Sequence, residues 1–217
     1  PDKIITFGGN CLVSQAPFAY LNEKYDDLGV LWVDAHPDIS NPEIYENEHA
    51  MVLANLLGAG DPKLSGLVRK TLKPSQVRYE GMQGGVDVEQ AELDRLGVSY
   101  AAAKGNELDA EGAISWIREN GIKHIAFHLD CDVMDPHDFY ATYFNNPALG
   151  PIPYNAATGH MKRASVWDFI EKISKETDLV GFTIAEYMPW SAMQMRELMK
   201  RTGTARLTAL PFSFSPV

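Results

Sequence analysis

Cysteine is scarce in this sequence: Cys11 and Cys131 are the only two among 217 residues. Two thiols do not make a disulfide framework, and a reducing, cytoplasmic location is the expectation. Basic residues are also few, with 19 Lys and Arg against 29 Asp and Glu and a formal net charge of −10. That balance argues against a nucleic-acid backbone or an anionic membrane as the main partner. No run approaches the ~18 apolar residues of a membrane span. The sequence opens Pro1-Asp2-Lys3-Ile4-Ile5, with neither an initiator Met nor a secretory signal, so a processed product or a fragment is expected. No P-loop, no Gly-x-Gly-x-x-Gly after a strand, no Gly-x-Ser-x-Gly elbow and no His-Glu-x-x-His occurs.

What is present is an ordinary globular composition, 45% apolar and 22% charged. Short apolar runs alternate with helical patterns. Strands are expected over 3–7, 29–34, 76–82, 98–102, 122–130 and 179–185. Helices are expected over 16–25, 49–57, 62–72, 88–96, 109–120, 165–176 and 191–201. Asp109 suits an N-cap with Gly121 just past the helix end, and Ser165 suits the N-cap of a later helix. This alternation predicts an α/β fold: three layers, α/β/α, around a mostly parallel sheet. No linker divides the chain, so 1–217 reads as a single domain. One stretch, 136–162, breaks the rhythm. A loop that long in a compact domain is usually functional, although a surface or subunit-contact role explains it equally well.

Two segments carry chemistry. Val33-Asp34-Ala35-His36-Pro37-Asp38 follows one buried strand, and Leu129-Asp130-Cys131-Asp132-Val133-Met134-Asp135-Pro136 follows another. In open α/β sheets ligands bind at the carboxyl ends of strands. Side chains at i and i+2 of a strand share a face, so Asp34 pairs with His36 and Asp130 with Asp132. Carboxylates gathered at one spot repel unless a cation neutralises them. Oxygen-rich sites with one or two imidazoles suit Mn, Mg or Zn. Taken alone, each Asp is equally a helix cap or a turn residue, and Asp135-Pro136 reads as a turn.

Together, Asp34-Ala35-His36-Pro37-Asp38 and Asp130-Cys131-Asp132-Val133-Met134-Asp135-Pro136 resemble two signatures of the arginase/agmatinase (ureohydrolase) family. Three further segments fall in the right order. Gly8-Gly9-Asn10-Cys11-Leu12 resembles the family's Gly-Gly-Asp-His-Ser, Glu46-Asn47-Glu48-His49 its Gly-Asn-x-His, and Ala185-Glu186-Tyr187-Met188-Pro189 its Glu-Val-Asn-Pro. The resemblance spans Phe7 to Pro189, and the βα segment that family chains carry before the first motif is missing here.

The resemblance implies an arginase-like fold and two Mn ions. Asp34 and Asp130 would bridge them, His36 and Asp132 would complete one site, and Asp38 and Cys11 the other. A hydroxide between the ions would attack the guanidinium carbon, releasing urea and an amine. Glu186 would hold the guanidinium, and His49 would shuttle protons near the leaving amine. Asn47, Ser40 and His160 are weaker substrate-site candidates. The implied partners are a small guanidino or amide substrate and further copies of the chain in a homo-oligomer, with no nucleic acid or membrane.

The chain also departs from the pattern. Cys11 stands where the family has a His ligand, and thiolates favour softer ions such as Zn. Three readings stay open: a mixed site holding Zn or Fe(II), one ion held by Asp34, His36, Asp130 and Asp132, or an empty site with Cys11 a small buried residue. Cys11 as a nucleophile would need a neighbouring His. Asn10 replaces an Asp. His128, two residues before Asp130, reads as a replacement ligand, an outer-shell donor or a core histidine. Gly81-Met82-Gln83-Gly84-Gly85 lacks the Arg-Asp of arginases, so arginine is less favoured than another guanidino, formimino or amide compound. The leading reading is a C–N hydrolase; the alternatives are a one-zinc amidohydrolase on the same fold and a non-catalytic binding protein.

Overall fold

A computed structural model describes residues 1–83, 87–101, 105–140, 146, 148 and 157–202. Ala102, the last residue expected in one strand, Gly84 and Gly85, and residues 141–145, 147 and 149–156 of the long loop lie outside the described residues. Among the described residues six strands, β1 (Ile4–Phe7), β2 (Leu28–Val33), β3 (Val77–Glu80), β4 (Ser99–Ala101), β5 (His124–Asp130) and β6 (Asp178–Ala185), pair in the order β1-β6-β5-β2-β3-β4. Every pairing is parallel.

The helices are α1 (Gln15–Lys24), α2 (Val52–Leu57), α3 (Pro62–Ser65), α4 (Asp87–Leu96), α5 (Ala110–Glu119), α6 (Arg163–Glu176) and α7 (Ala192–Arg201). Side chains alternate along each strand, so the sheet feeds two separate cores. Leu31, Val33, Ile125, Phe127 and Leu129 pack with residues of α5, α6 and α7. Val30, Trp32, Val77 and Ala126 pack with residues of α1, α2 and α4. This is the expected three-layer α/β/α arrangement. It also explains why β2 is buried at all six positions and reads as continuously apolar. Phe127 holds the first core by edge-to-face contacts with Phe169 and Phe182, at 6.1 and 5.7 Å. Burying such a ring contributes about 1.5–3 kcal/mol.

The strand order turns back at β2 and β5. From β2 the chain runs outward through β3 and β4, whereas β5 and β6 lie on the other side. Such a switch point opens a crevice at the carboxyl ends. Here it separates the ends of β2 and β5, which pair directly with Val33 opposite Leu129.

Four local expectations are corrected. The helix expected over 62–72 lasts one turn, Pro62–Ser65. Beyond it the backbone is spent on neighbours: Leu72 donates to Leu56 O and the Asn22 amide donates to Lys70 O. The helix expected over 49–57 enters through a 3-10 turn, Glu48–Met51, before α2 begins. The strand expected from residue 76 begins at Val77, after a 3-10 turn over Pro74–Gln76. Helix α6 starts at Arg163 rather than after Ser165, whose hydroxyl instead accepts from the Leu108 amide. Asp109 does cap α5, accepting from the Gly112 amide at 3.0 Å, and Gly121 follows it with φ 63°.

Candidate metal centre

Asp34 leaves β2 at the switch point, and its Oδ1 accepts from the His36 amide at 2.7 Å. Asp130 ends β5, and its Oδ1 accepts from the Asp132 amide at 2.8 Å. The i, i+2 pairs therefore meet through side-chain-to-backbone turns. Pleat alternation, the expected cause, does not apply, because β2 ends at Val33 and Asp132 lies in the 3-10 turn Cys131–Val133. The two turns face each other, with His36 Nδ1 3.0 Å from Asp132 Oδ2.

Asp38 closes the first loop in the left-handed region, φ 49°. Its carbonyl accepts from the Leu53 and Ala54 amides, which anchors the start of α2. Cys11 opens a 3-10 turn after β1 that Asn10 caps by accepting from the Leu12 amide. The Cys11 thiol donates to Asp130 Oδ2 at 2.9 Å and lies 3.9 Å from Asp34 Oδ2.

Two donor groups result. Cys11, Asp34, Asp38 and His128 each offer one ligand atom within 4.8 Å of the others, and so do Asp34, His36 and Asp132. Asp34 belongs to both. Asp130 belongs to neither group, although its carboxylate touches Cys11.

The electrostatics follow from burial. Burial alone would raise the Asp34 carboxyl, but the imidazoles of His128 and His36 outweigh it and hold Asp34 below the usual carboxylate range. Burial lowers His36, yet Asp132 and Asp34 push it up to about 12. Asp38 and Asp130 are raised well above their ordinary values, by burial first and then by neighbouring carboxylates, Asp34 for Asp38 and Asp132 for Asp130. Burial also raises Asp132 and pushes the Cys11 thiol well up. The cluster relieves its own repulsion by keeping protons.

A divalent cation fits these residues. Buried polar groups are normally hydrogen-bonded. Yet His36 Nε2, Asp38 Oδ2, His128 Nε2 and Asp132 Oδ1 have no hydrogen-bond partner among the described residues and are shielded from water. The four residues that carry these atoms belong to the two donor groups.

The remaining expected residues lie at varied distance from this cluster. Glu186 follows β6 at φ 51°, and its amide donates to Gly9 O at 2.7 Å. Burial, then Asp132 and Asp34, push its carboxyl up to about 7. His49 is half-buried, and burial followed by the His36 charge lowers it. Ser40 is fully buried and donates to Glu89 at 2.7 Å, so its hydroxyl is engaged by α4. Asn47 is exposed, as is His160. His160 sits between Gly159 and Met161, whose amides donate to Asp132 O and Val133 O. His124 binds Asp27 and the exposed His137 binds Asp135, both away from the cluster.

Sequence reasoning missed three supporting residues. The buried Tyr79 hydroxyl donates to the Asp34 carbonyl at 2.9 Å and to the His36 carbonyl, which pins the ligand turn. Trp32 Nε1 donates to Asp34 Oδ2 at 3.3 Å. The fully buried Ser14 hydroxyl bonds His128 Nδ1 at 2.8 Å. Only the last two leave a trace in sequence, as polar atoms in otherwise apolar patterns.

A family model described as the Arginase family matches residues 1–200. Arginase from Eremothecium gossypii is 28% identical over 196 residues, covering 85% of this chain and 46% of that protein. Arginase from Plasmodium berghei is 28% identical over 197 residues, covering 86% and 52%. The chain thus spans about half the length of these curated relatives. Among solved structures, Entamoeba histolytica arginase in complex with L-ornithine superposes with a TM-score of 0.76 at 21% identity, over 93% of this chain and 69% of that one. Arginase from Bacillus caldovelox gives 0.76 at 21%, over 91% and 67%. At these identities the structures speak for the fold. No helix among the described residues is long and apolar enough to cross a membrane.

Proposed function

The chain belongs to the arginase family, and on that premise we propose that it is a cation-dependent hydrolase of a C–N bond in a small guanidino, formimino or related amide compound. A guanidino substrate would release urea. The observation that supports this reading is the convergence of Asp34, His36, Asp38 and Asp132 in two donor groups sharing Asp34. Asp130 lies against them through Cys11.

Asp34, His36 and Asp132 would hold one ion; Cys11 and Asp38, with Asp34, lie where a second would sit. Divalent ions supply Lewis acidity, lowering the pKa of water toward neutrality. Every other task falls to the protein. Tyr79 and the Asp34–His36 turn fix the ligand atoms, so little reorganisation is needed on binding. Glu186 is proposed to grip the substrate's cationic end by charge-assisted hydrogen bonds. A guanidinium beside it would draw its carboxyl, raised to about 7, back toward the ionised form. His49, lowered by burial and by His36, is the neutral imidazole proposed to carry a proton to the leaving amine. The substitutions at Gly81-Met82-Gln83 support a substrate other than arginine. Homo-oligomerisation belongs to the same proposal.

One observation favours a second reading, a single-ion amidohydrolase. Cys11 is an uncharged thiol already donating to Asp130. That leaves Asp34, His36 and Asp132 as the group built from oxygen and nitrogen ligands alone.

The test is metal content by elemental mass spectrometry after separate dialysis against Mn and Zn, followed by a urea- and ammonia-release screen over guanidino and amide compounds. Asp34→Ala, which removes the residue shared by both donor groups, should lose both bound metal and activity. Protein that binds neither ion sinks the hydrolase reading and leaves a binding protein.

A further inference from the structure

His128 is fully buried in the middle of the sheet's α1–α2 face. Its ring stacks on Trp32, the residue opposite it in the β2–β5 register, with centroids 3.8 Å apart and planes at 14°. Ser14 engages its Nδ1 at 2.8 Å. The other nitrogen, Nε2, has no hydrogen-bond partner among the described residues and lies 3.6 Å from Asp34 Oδ2. A core histidine with no task would be expected to satisfy both nitrogens. An imidazole held flat by stacking, with one nitrogen tied to a hydroxyl and the other bare, is oriented as metal-binding histidines are, by a hydrogen bond to the nitrogen that does not bind.

The bare nitrogen points into a group that is itself short of partners. Asp38 Oδ2 is also unpartnered, and Asp38 is 2% exposed. The Cys11 thiol, Asp34, Asp38 and His128 all lie within 4.8 Å of one another. Ligands at ~2.0–2.3 Å around a tetrahedral ion stand about 3.5 Å apart, so small side-chain movements close the shell.

Resting on the cation-dependent reading above, we propose that His128 is a metal ligand. With Cys11, Asp34 and Asp38 it forms a sulfur–nitrogen–oxygen subsite for a zinc-class ion. The nitrogen absent from position 11 is supplied from β5, across the sheet. The neighbouring subsite, Asp34, His36 and Asp132, carries no sulfur and keeps its preference for harder ions such as Mn. The two subsites would then differ in metal, joined through Asp34.

The first test uses the unaltered protein. Loaded with cadmium-113 and labelled with nitrogen-15 at its six histidines, it should show nitrogen–cadmium coupling at the His128 imidazole, with or without coupling at His36. Cadmium bound without coupling at His128 overturns the proposal, and leaves the cation-dependent reading standing. No cadmium, zinc or manganese bound at all overturns both. The second test is zinc affinity in His128→Asn, whose amide can keep the Ser14 bond but cannot reach the ion as Nε2 does. Loss of an outer-shell partner costs 10–100-fold in affinity. One of two zinc ions should instead weaken by more than about 100-fold, while the other is retained. A smaller loss overturns ligation. Cobalt(II) in place of zinc should show sulfur-to-metal charge-transfer absorption that disappears in Cys11→Ser; its absence from the unaltered protein removes Cys11 from the subsite and refutes the proposal.

Discussion

Asp38→Asn should stabilise the protein when metal is stripped and destabilise it when metal is supplied. Asp38 and Asp34 present carboxylate oxygens within 4.8 Å of each other, and Asp38 is 2% exposed. Two charges at that separation repel by about 3.5 kcal/mol at an effective dielectric of 20. The metal-free protein avoids part of this by leaving Asp38 protonated, since burial and Asp34 raise its carboxyl well above the ordinary value. Proton uptake on folding makes stability pH-dependent. A carboxyl raised in the folded state contributes stability that is fully present below its unfolded pKa of ~3.9. That contribution fades as pH rises toward the folded value. Asparagine has the shape of the protonated carboxyl and never ionises, and it tolerates the left-handed φ of 49° at this position. Near pH 4 the two chelated proteins should melt together. At pH 8 the variant should be more stable by roughly 2 kcal/mol, or about 4–8 °C for a domain of this size. Adding Mn or Zn should reverse the order, because the ion stabilises the native state that binds it and the variant has lost a charged ligand. The assay is a thermal melt across pH, with chelator and with each ion. A variant that melts below the parent in chelator at pH 8 would refute the repulsion, and an unchanged response to metal would remove Asp38 from the donor set.

Glu186→Gln should raise KM for a guanidino substrate tenfold or more while metal content holds, as expected for a lost charge-assisted contact; an unchanged KM dismisses it as the guanidinium anchor. Gly81→Ala should destabilise by more than 1 kcal/mol, because φ is 91° and an added Cβ would meet Val133 Cγ2 at 2.6 Å; equal denaturant midpoints would show that the turn relaxes. Asp109→Ala should cost about 1 kcal/mol through the lost cap on α5, and Asp109→Asn, which keeps the cap but gives up charge beside Arg78, should cost less; equal losses from both would assign the effect to the ion pair.

Much of the fold was legible because its signals are local. A parallel strand covered on both faces must be apolar throughout, and Gly29-Val30-Leu31-Trp32-Val33 is. Asp109 and Gly121 sit at the ends of α5 because a cap and a left-handed exit need those residue types. The misreadings were local signals overruled from a distance. Leu67 to Leu72 carries a helical pattern, but Leu56 and Asn22 take its backbone groups. Ser165 looks like a cap, but Leu108 claims its hydroxyl.

For the candidate site, the sequence by itself determined the ligand types and their order after two strands, which was enough to point to a cation and a family. It also determined that position 11 holds sulfur. What it left open was which donors meet. Cys11, Asp34, Asp38 and His128 come from the ends of two strands, β1 and β2, and the interior of a third, β5. Their approach is set by the pairing of β2 with β5, which puts His128 opposite Trp32 and its ring beside Asp34. Only tertiary structure decided that, because strand register is a property of two distant segments jointly. No pattern within either segment specifies which side chains will share the space between them.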